Sequence, residues 1–462
     1  MQPLYGEQAI TVAAATSPRL RFPRRSAGGK GYALTPSQEN NWFNWIHGCT
    51  PQASFALRFP MLLDKPSWAK AFAAFASRHA ILGRRFVVTD NEAFPHAVES
   101  GGVAELAPWR ELAAEALPAA MAAELRQWLD PLRGPLLRCL PFNVHESGTP
   151  SSTTLLVHVH HLVWDGASTT LFERECAALY RAAREGRDAA LPPASDYWET
   201  THAQERLRVH PSLAQRQTYW RNVFAPPLSP LHLHGTVPRP SIAHEMQAHH
   251  FMLSGNARAM LASLARQTIS TPFVVAMALL KWALYLFGGN DEIVVTEVAA
   301  DRIQAASLNA VGPFNRPIPV RTSLRGDPTF SELVTRVRAN CLGGRRHALS
   351  YPDFARLLTE HCSLPLDAWR QVRLNYFPYQ QGPLEWEPGI PVTRADLNYV
   401  QPWFCELMFV MREGHDSVAL QLLSAKERYR GDAPHRLAAQ LDALLGMAAR
   451  NSSVRLSQGR TP

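Results

Sequence analysis

Between His158 and Gly166 the chain reads His158-Val159-His160-His161-Leu162-Val163-Trp164-Asp165-Gly166, which sets imidazoles, a carboxylate and a glycine side by side. An imidazole titrates near pH ~6.5, so it can take a proton from an attacking amine or hydroxyl at neutral pH. The pattern therefore points to proton-transfer chemistry. Two elements must position it. The run from Thr154 through Leu155, Leu156 and Val157 is rich in β-formers and has no helix breaker, and it reads as a strand. Strict alternation puts Leu155, Val157, Val159 and His161 on one face, and Leu156, His158 and His160 on the other. His161 shares the more apolar side, where desolvation keeps the ring neutral and basic. Gly166 is expected to make a sharp turn. After it, Thr170-x-x-Glu173 reads as a capping box, and Leu171, Phe172, Cys176 and Leu179 form a helical apolar stripe.

Other chemistries fit less well. His158-x-His160 resembles the start of the metal-binding pattern HxHxDH, but Leu162 and Val163 stand where that pattern needs an aspartate and a histidine, so no metal site is expected. No G-x-S-x-G elbow occurs, which removes the usual serine hydrolase arrangement. The six cysteines are scattered without a CxxC pair and read as small apolar core residues of a reducing cytoplasm. The formal charge of +8 invites nucleic-acid binding. However, lysines are confined to positions 30, 65, 70, 281 and 426, and the arginines are spread along the chain with no basic run, so nucleic acid is not the expected partner. The longest apolar run, Phe273 to Phe287, is interrupted by Lys281 and falls short of the ~20 residues that span a bilayer. No secretory signal opens the chain, and neither a membrane nor an exported destination is expected.

A length of 462 residues allows two cores. Residues 1–31 read as a flexible leader, 32–205 as a first lobe, 206–450 as a second and 451–462 as a flexible tail. Helices are expected over Trp68 to His79 and Ala119 to Trp128. Another runs from Pro272 to Phe287, capped by Thr271 and ended by Gly288-Gly289, and His435 to Met447 forms the last. Further strands are expected at Asp291 to Val298, Val372 to Phe377, Glu406 to Arg412 and Ser417 to Leu423. Pro226 to Pro240 reads as a connector.

The chain resembles the condensation domains of nonribosomal peptide synthetases, within the superfamily typified by chloramphenicol acetyltransferase. His160, His161, Asp165 and Gly166 meet the HHxxxDG signature in full. Supporting segments follow in family order: Leu34 to Gln38 with Trp42-Phe43, Arg78-His79 to Leu82 with Phe86, and Arg133 to Arg138. Then come Asp196-Tyr197, Tyr219-Trp220, Asp291 to Val295, Ala300-Asp301-Arg302, and Val311 to Phe314 with Pro319 and Arg321. The resemblance covers residues 32 to 450. Gly83 stands where the second motif usually has arginine, Arg316 and Pro317 replace an asparagine and a threonine, and Ala167 replaces a common aromatic.

The resemblance implies an α/β (α+β) fold with two acyltransferase-like lobes in a V and a tunnel between them. His161 would be the catalytic base, His160 and Gly166 would support it, and Asp165 would form a buried ion pair with Arg302. Trp164, Ser168, Asn375 and Tyr376 would line the tunnel. A carrier protein would bring an acyl thioester on its phosphopantetheine arm, with no permanently bound cofactor and no metal. Because no adenylation-type or carrier-type segment follows, a free-standing monomer is expected, taking its acyl or peptidyl carrier and its nucleophile in trans. The alternatives are a non-catalytic docking or recruitment domain, an epimerisation-type domain, and a CoA-dependent acyltransferase.

Overall fold

The β-forming run around Leu155 becomes the centre of a seven-stranded sheet. The strand Thr149–Val159 pairs antiparallel with Phe55–Phe59 on one side and Leu137–Glu146 on the other. Both of its faces are covered, so both are apolar. Leu155, Val157 and Val159 pack with Leu57, Leu137 and Phe172, while Leu156 joins Ala56, Leu140 and Phe142 in a separate cluster. The alternation expected from the sequence holds along the strand.

The computed structural model describes residues 32–88, 95–99, 104–146, 149–207, 211–226, 228–231, 233, 243–361, 364, 369–379, 384–387, 390–395, 397, 400–429 and 431–459. The expected leader, Cys362 and most of the proline-rich connector lie outside them. The fold is mixed α/β. A second sheet of six strands runs in the order Asn315–Ser323, Glu292–Ala300, Val372–Phe377, Leu407–Glu413, Val418–Ala425, Met246–Met252. Three of its four inner strands, Glu292–Ala300, Val372–Phe377 and Leu407–Glu413, are mutually parallel. Behind it lies the helix Pro272–Gly288, with Thr271 accepting from the Val274 amide and Gly289 ending it at φ +74°. That helix is buried almost along its whole length, and the Lys281 ammonium donates to the carbonyls of Ile293 (3.0 Å) and Val320 (2.6 Å). Its apolar character is thus explained by core packing. No single helix among the described residues is long and apolar enough to cross a membrane.

Three expectations are corrected. The helix after the signature is Gly166–Glu185, capped by Asp165, so Thr170 and Glu173 lie inside it and form no box. Asp165 wins because its carboxylate reaches the Ser168 amide at 2.8 Å, whereas Glu173 is engaged by Arg394 at 2.6 and 2.7 Å. Second, the strands Leu384–Glu387 and Ile390–Ala395 fall within the expected second lobe, yet Ile390–Ala395 pairs with Phe55–Phe59 and extends the first sheet. The chain therefore crosses back, and Arg394 reaches Glu173 from that added strand. Third, the expected tail packs against the second sheet through residue 459. Leu456 is fully buried, its carbonyl accepts from the Trp282 indole at 2.9 Å, and Arg455 bridges Thr329.

Because Leu456 contacts the core of the second sheet, Leu456→Ala is expected to cost about 2–5 kcal/mol. A urea or thermal melt measures it; a change within error of zero would mean that the tail is not packed as described.

Candidate active site around His161

The loop that carries the signature is held by its backbone before any side chain acts. At the end of the strand Thr149–Val159, His160 forms a bridge with Gln52 and donates its amide to Leu136 (2.9 Å). The His161 amide donates to the Pro51 carbonyl at 2.8 Å, and its own carbonyl accepts from the Asn41 side chain at 2.8 Å. Gln38 donates to the Leu162 carbonyl at 2.9 Å. Both Gln38 and Asn41 lie on the helix Pro36–Ile46, whose start is fixed by the reciprocal cap between Thr35 and Gln38. The opening motif thus serves as a clamp on the histidine loop. Of the two anchors, Gln38 is named from the sequence only as the end of the opening motif and Asn41 is not named; the polar run Gln38, Glu39, Asn40, Asn41 in a helix beside an aromatic pair was the available signal.

His161 keeps partial exposure while His160 has none. The His161 Nδ1 lies 3.1 Å from the Trp164 carbonyl, which can only accept, so Nδ1 carries the proton and Nε2 presents a lone pair. Nε2 has no partner among the described residues. Burial, with a contribution from the charge of Arg373, pushes the pKa down to about 4, against the opposing pull of the Trp164 carbonyl and the Asp165 charge. The ring is a neutral acceptor at pH 7. His160 differs: its Nδ1 accepts from the Leu162 amide at 3.0 Å, its ring meets Trp45 edge-on, and burial holds its pKa near about 3. His158 spends both ring nitrogens, on the Ser54 hydroxyl (2.8 Å) and the Gln127 carbonyl (2.9 Å), which leaves no lone pair for a metal.

Asp165 gathers four donors. Its Oδ1 accepts from the amide and hydroxyl of Ser168, both at 2.8 Å, and from Arg302 at 2.7 Å; its Oδ2 accepts from the Phe314 amide at 3.1 Å. Arg302 lies over the Phe314 ring at 4.3 Å and also donates to the Ala310 carbonyl at 2.8 Å. The pair inferred by resemblance is present, and it ties the signature loop to the 302–314 segment.

Several residues stand elsewhere than expected. Trp164 is fully buried among Phe55, Phe75 and Phe172, with its indole donating to Thr169 at 3.0 Å, so it belongs to the core. Ser168 is equally buried and serves Asp165 and Gly312. In the strand Val372–Phe377, Val372 and Leu374 face the core and Tyr376 follows them, bonding Glu413 and meeting Phe273. Arg373, Asn375 and Phe377 take the opposite face. Asn375 is therefore on the site side and Tyr376 is not. Gly166 makes no left-handed turn; a Cβ there would meet the Phe377 ring at 3.3 Å, so a close approach explains the glycine. Sequence reading passed over Arg373 and Phe377, although the alternation Val-Arg-Leu-Asn already set Arg373 beside Asn375.

Removing one member of the buried Asp165–Arg302 pair strands the other, which costs about 3–5 kcal/mol. Asp165→Ala should lose that much in a denaturant titration, and Asp165→Ala/Arg302→Met should recover part of it. A fully stable Asp165→Ala protein would remove the pair from its structural role.

Comparison with known proteins agrees with this geometry. The Condensation domain family matches residues 30–381. A linear gramicidin synthase of Brevibacillus parabrevis is 28% identical over 348 residues, 69% of this chain and 4% of that protein. Phosphinothricin tripeptide synthetase PhsC of Streptomyces viridochromogenes is 28% identical over 372 residues, 77% of this chain and 33% of that protein. The chain thus spans a minor part of the length of these curated relatives. Among solved structures, the X-domain from teicoplanin biosynthesis superposes with a TM-score of 0.78 at 25% identity, covering 95% of this chain and 99% of that one. The first condensation domain of the calcium-dependent antibiotic synthetase gives 0.76 at 19%, covering 93% and 98%, and supports the fold. This chain belongs to the Condensation domain family, whose members are acyltransferases.

Proposed function

We propose that this chain transfers an acyl group from a carrier-protein phosphopantetheine thioester to an amine or hydroxyl, forming an amide or ester. In this reading the acceptor attacks the thioester carbonyl while its proton passes to Nε2 of His161. The tetrahedral intermediate then collapses, the C–S bond breaks, and the imidazolium returns the proton to the leaving thiolate. The carrier leaves as its free thiol. The observation that supports this reading most is the state of His161: Nδ1 is fixed as donor to Trp164, and Nε2 has an uncommitted lone pair. The protein would act as a cytoplasmic monomer, with both partners arriving in trans.

One observation favours a second reading. A complex of the X-domain and OxyB from teicoplanin biosynthesis contains a chain that superposes with a TM-score of 0.77 at 25% identity. A recruitment domain would bind its partner and perform no transfer. Intact-mass spectrometry of an acylated carrier protein incubated with this chain and a set of amines and alcohols separates the two. Transfer is expected to convert acyl carrier to free carrier thiol with a new amide or ester. His161→Ala should lower the rate by ~10²–10⁴-fold while carrier binding persists. Binding without transfer in the unaltered chain would favour recruitment.

The pH dependence carries its own sign. The folded pKa of His161 is depressed, so the neutral ring is fully present at pH 7 and is lost only as pH falls through about 4. With a hydroxyl acceptor, which carries no titrating amine, the acid limb of kcat/KM is expected near that pH. A limb near 6.5 would mean that the working ring is exposed to water.

A further inference from the structure

Arg373 is a buried cation to which the transfer chemistry assigns no task. It is 6% exposed, and its Nε donates to Asn375 Oδ1 at 3.2 Å. Its guanidinium lies 5.4 Å from the Trp403 ring centre. Among the described residues no carboxylate pairs with it, and its two terminal nitrogens make no hydrogen bond. Four other buried or nearly buried arginines have a carboxylate: Arg302 with Asp165 (2.7 Å), Arg316 with Asp301 (2.9 Å), Arg321 with Glu292 (3.1 Å) and Arg428 with Glu406 (2.8 Å); Arg370 instead donates to Asn40 Oδ1 (3.1 Å) and lies over the Phe404 ring (3.8 Å). An unmatched charge out of water is costly, so its retention calls for a partner from outside the chain.

Its location says where that partner sits. Arg373 shares a strand face with Asn375 and with Phe377, and the Phe377 ring packs over Gly166 of the signature. Its charge also reaches His161, whose proton affinity it lowers. The unmatched guanidinium and the uncommitted Nε2 therefore open on the same region. A guanidinium fork fits a carboxylate with two parallel hydrogen bonds. Phosphate fits worse, because the neighbouring cation, Arg370, already donates to Asn40 Oδ1 at 3.1 Å and lies 3.8 Å from the Phe404 ring centre, which leaves one guanidinium to face a dianion. The phosphate of a phosphopantetheine arm is also at the far end from its thioester. An acceptor tethered to a second carrier would present its own carboxyl as a neutral thioester, whereas a free small acid keeps its charge.

We propose that the acceptor is a free amino acid or hydroxy acid, its carboxylate paired with Arg373 while its amine or hydroxyl reaches Nε2 of His161. This rests on the transfer reading above and names the substrate class of that site. The bond formed is C–N or C–O at the former thioester carbonyl, and the carboxylate is a spectator.

The test compares acids with their neutral carboxamides under the mass assay, using 3-aminopropanoate, 3-hydroxybutanoate and 4-aminobenzoate, so that the nucleophile is the same within each pair. At least one acid is expected to exceed its amide by about tenfold or more in kcat/KM, the worth of ~1.4 kcal/mol. Arg373→Met should collapse the acid-to-amide ratio toward one, and Arg373→Lys should restore part of it. Equal rates for every acid and its amide in the unaltered chain would overturn the proposal. So would an Arg373→Met protein that slows both members alike and keeps the ratio. A complete lack of transfer refutes the transfer reading and leaves a separate readout: titration of the His161 ring by NMR with the acids alone. A bound carboxylate raises that pKa in the unaltered chain and leaves it unmoved in Arg373→Met; no rise with any acid counts against the site.

Discussion

The carboxylate of Asp165 is the knot on which the site depends. It begins the helix Gly166–Glu185 by capping Ser168, and it neutralises Arg302. It also receives the Phe314 amide from the far side of the molecule. Each bond alone is ordinary. Their convergence on one buried carboxylate ties helix start, ion pair and a distant turn into one arrangement, because a half-satisfied buried charge costs more than no charge. Gly312 shows how tight that turn is: it sits at φ +150°, and a Cβ there would lie 2.2 Å from the Tyr197 ring. Tyr197 in turn donates to the Pro313 carbonyl at 2.8 Å and meets Thr35 at 2.5 Å, at the cap of the helix that clamps the histidine loop. Knot and clamp are thereby continuous.

Within that frame, three neighbouring imidazoles have different fates. Strand parity and the place where pairing stops decide among them. His158 is still in the strand, facing Ser54 and Gln127, and both nitrogens are consumed. His160 is at the last bridge and turns inward, where it bonds the loop backbone. His161 follows the end of pairing, so its backbone is satisfied by Pro51 and Asn41, and its ring is the one left with an open acceptor.

Much of this was legible in the sequence. The alternation around Leu155 located the central strand and separated its faces, and the Thr271-Pro272 and Gly288-Gly289 pair bounded the long core helix. The strand Val372–Phe377 was placed to the residue. Its own parity would have excluded Tyr376 and admitted Arg373, so that error came from weighting neighbourhood over period. Trp164 was misassigned because a tryptophan beside a signature looks equally like lining or core; only Phe55, Phe75 and Phe172 decide it, and they lie on other elements. The crossover of Ile390–Ala395 to Phe55–Phe59 joins strands more than three hundred positions apart, a contact that no local pattern encodes. The tail resisted reading for a related reason: Leu456 is a lone apolar residue in a polar stretch, and its burial depends on Trp282.

The electrostatics of His161 bear on how a proton could move. The Trp164 carbonyl fixes the tautomer without supplying the negative charge that a carboxylate partner would, so burial dominates and the ring stays a weak base with a pKa of about 4. A base that weak takes no proton from a free ammonium or alcohol beforehand; in the proposed transfer the proton would move as the new bond forms and the nucleophile turns acidic. Arg373 depresses the ring further while it has no counter-charge. An acceptor carboxylate paired with Arg373 would cancel that effect, so the ring would gain basicity only when the correct acceptor is seated. Substrate binding and base strength would then be coupled through one guanidinium, with no movement of the backbone required.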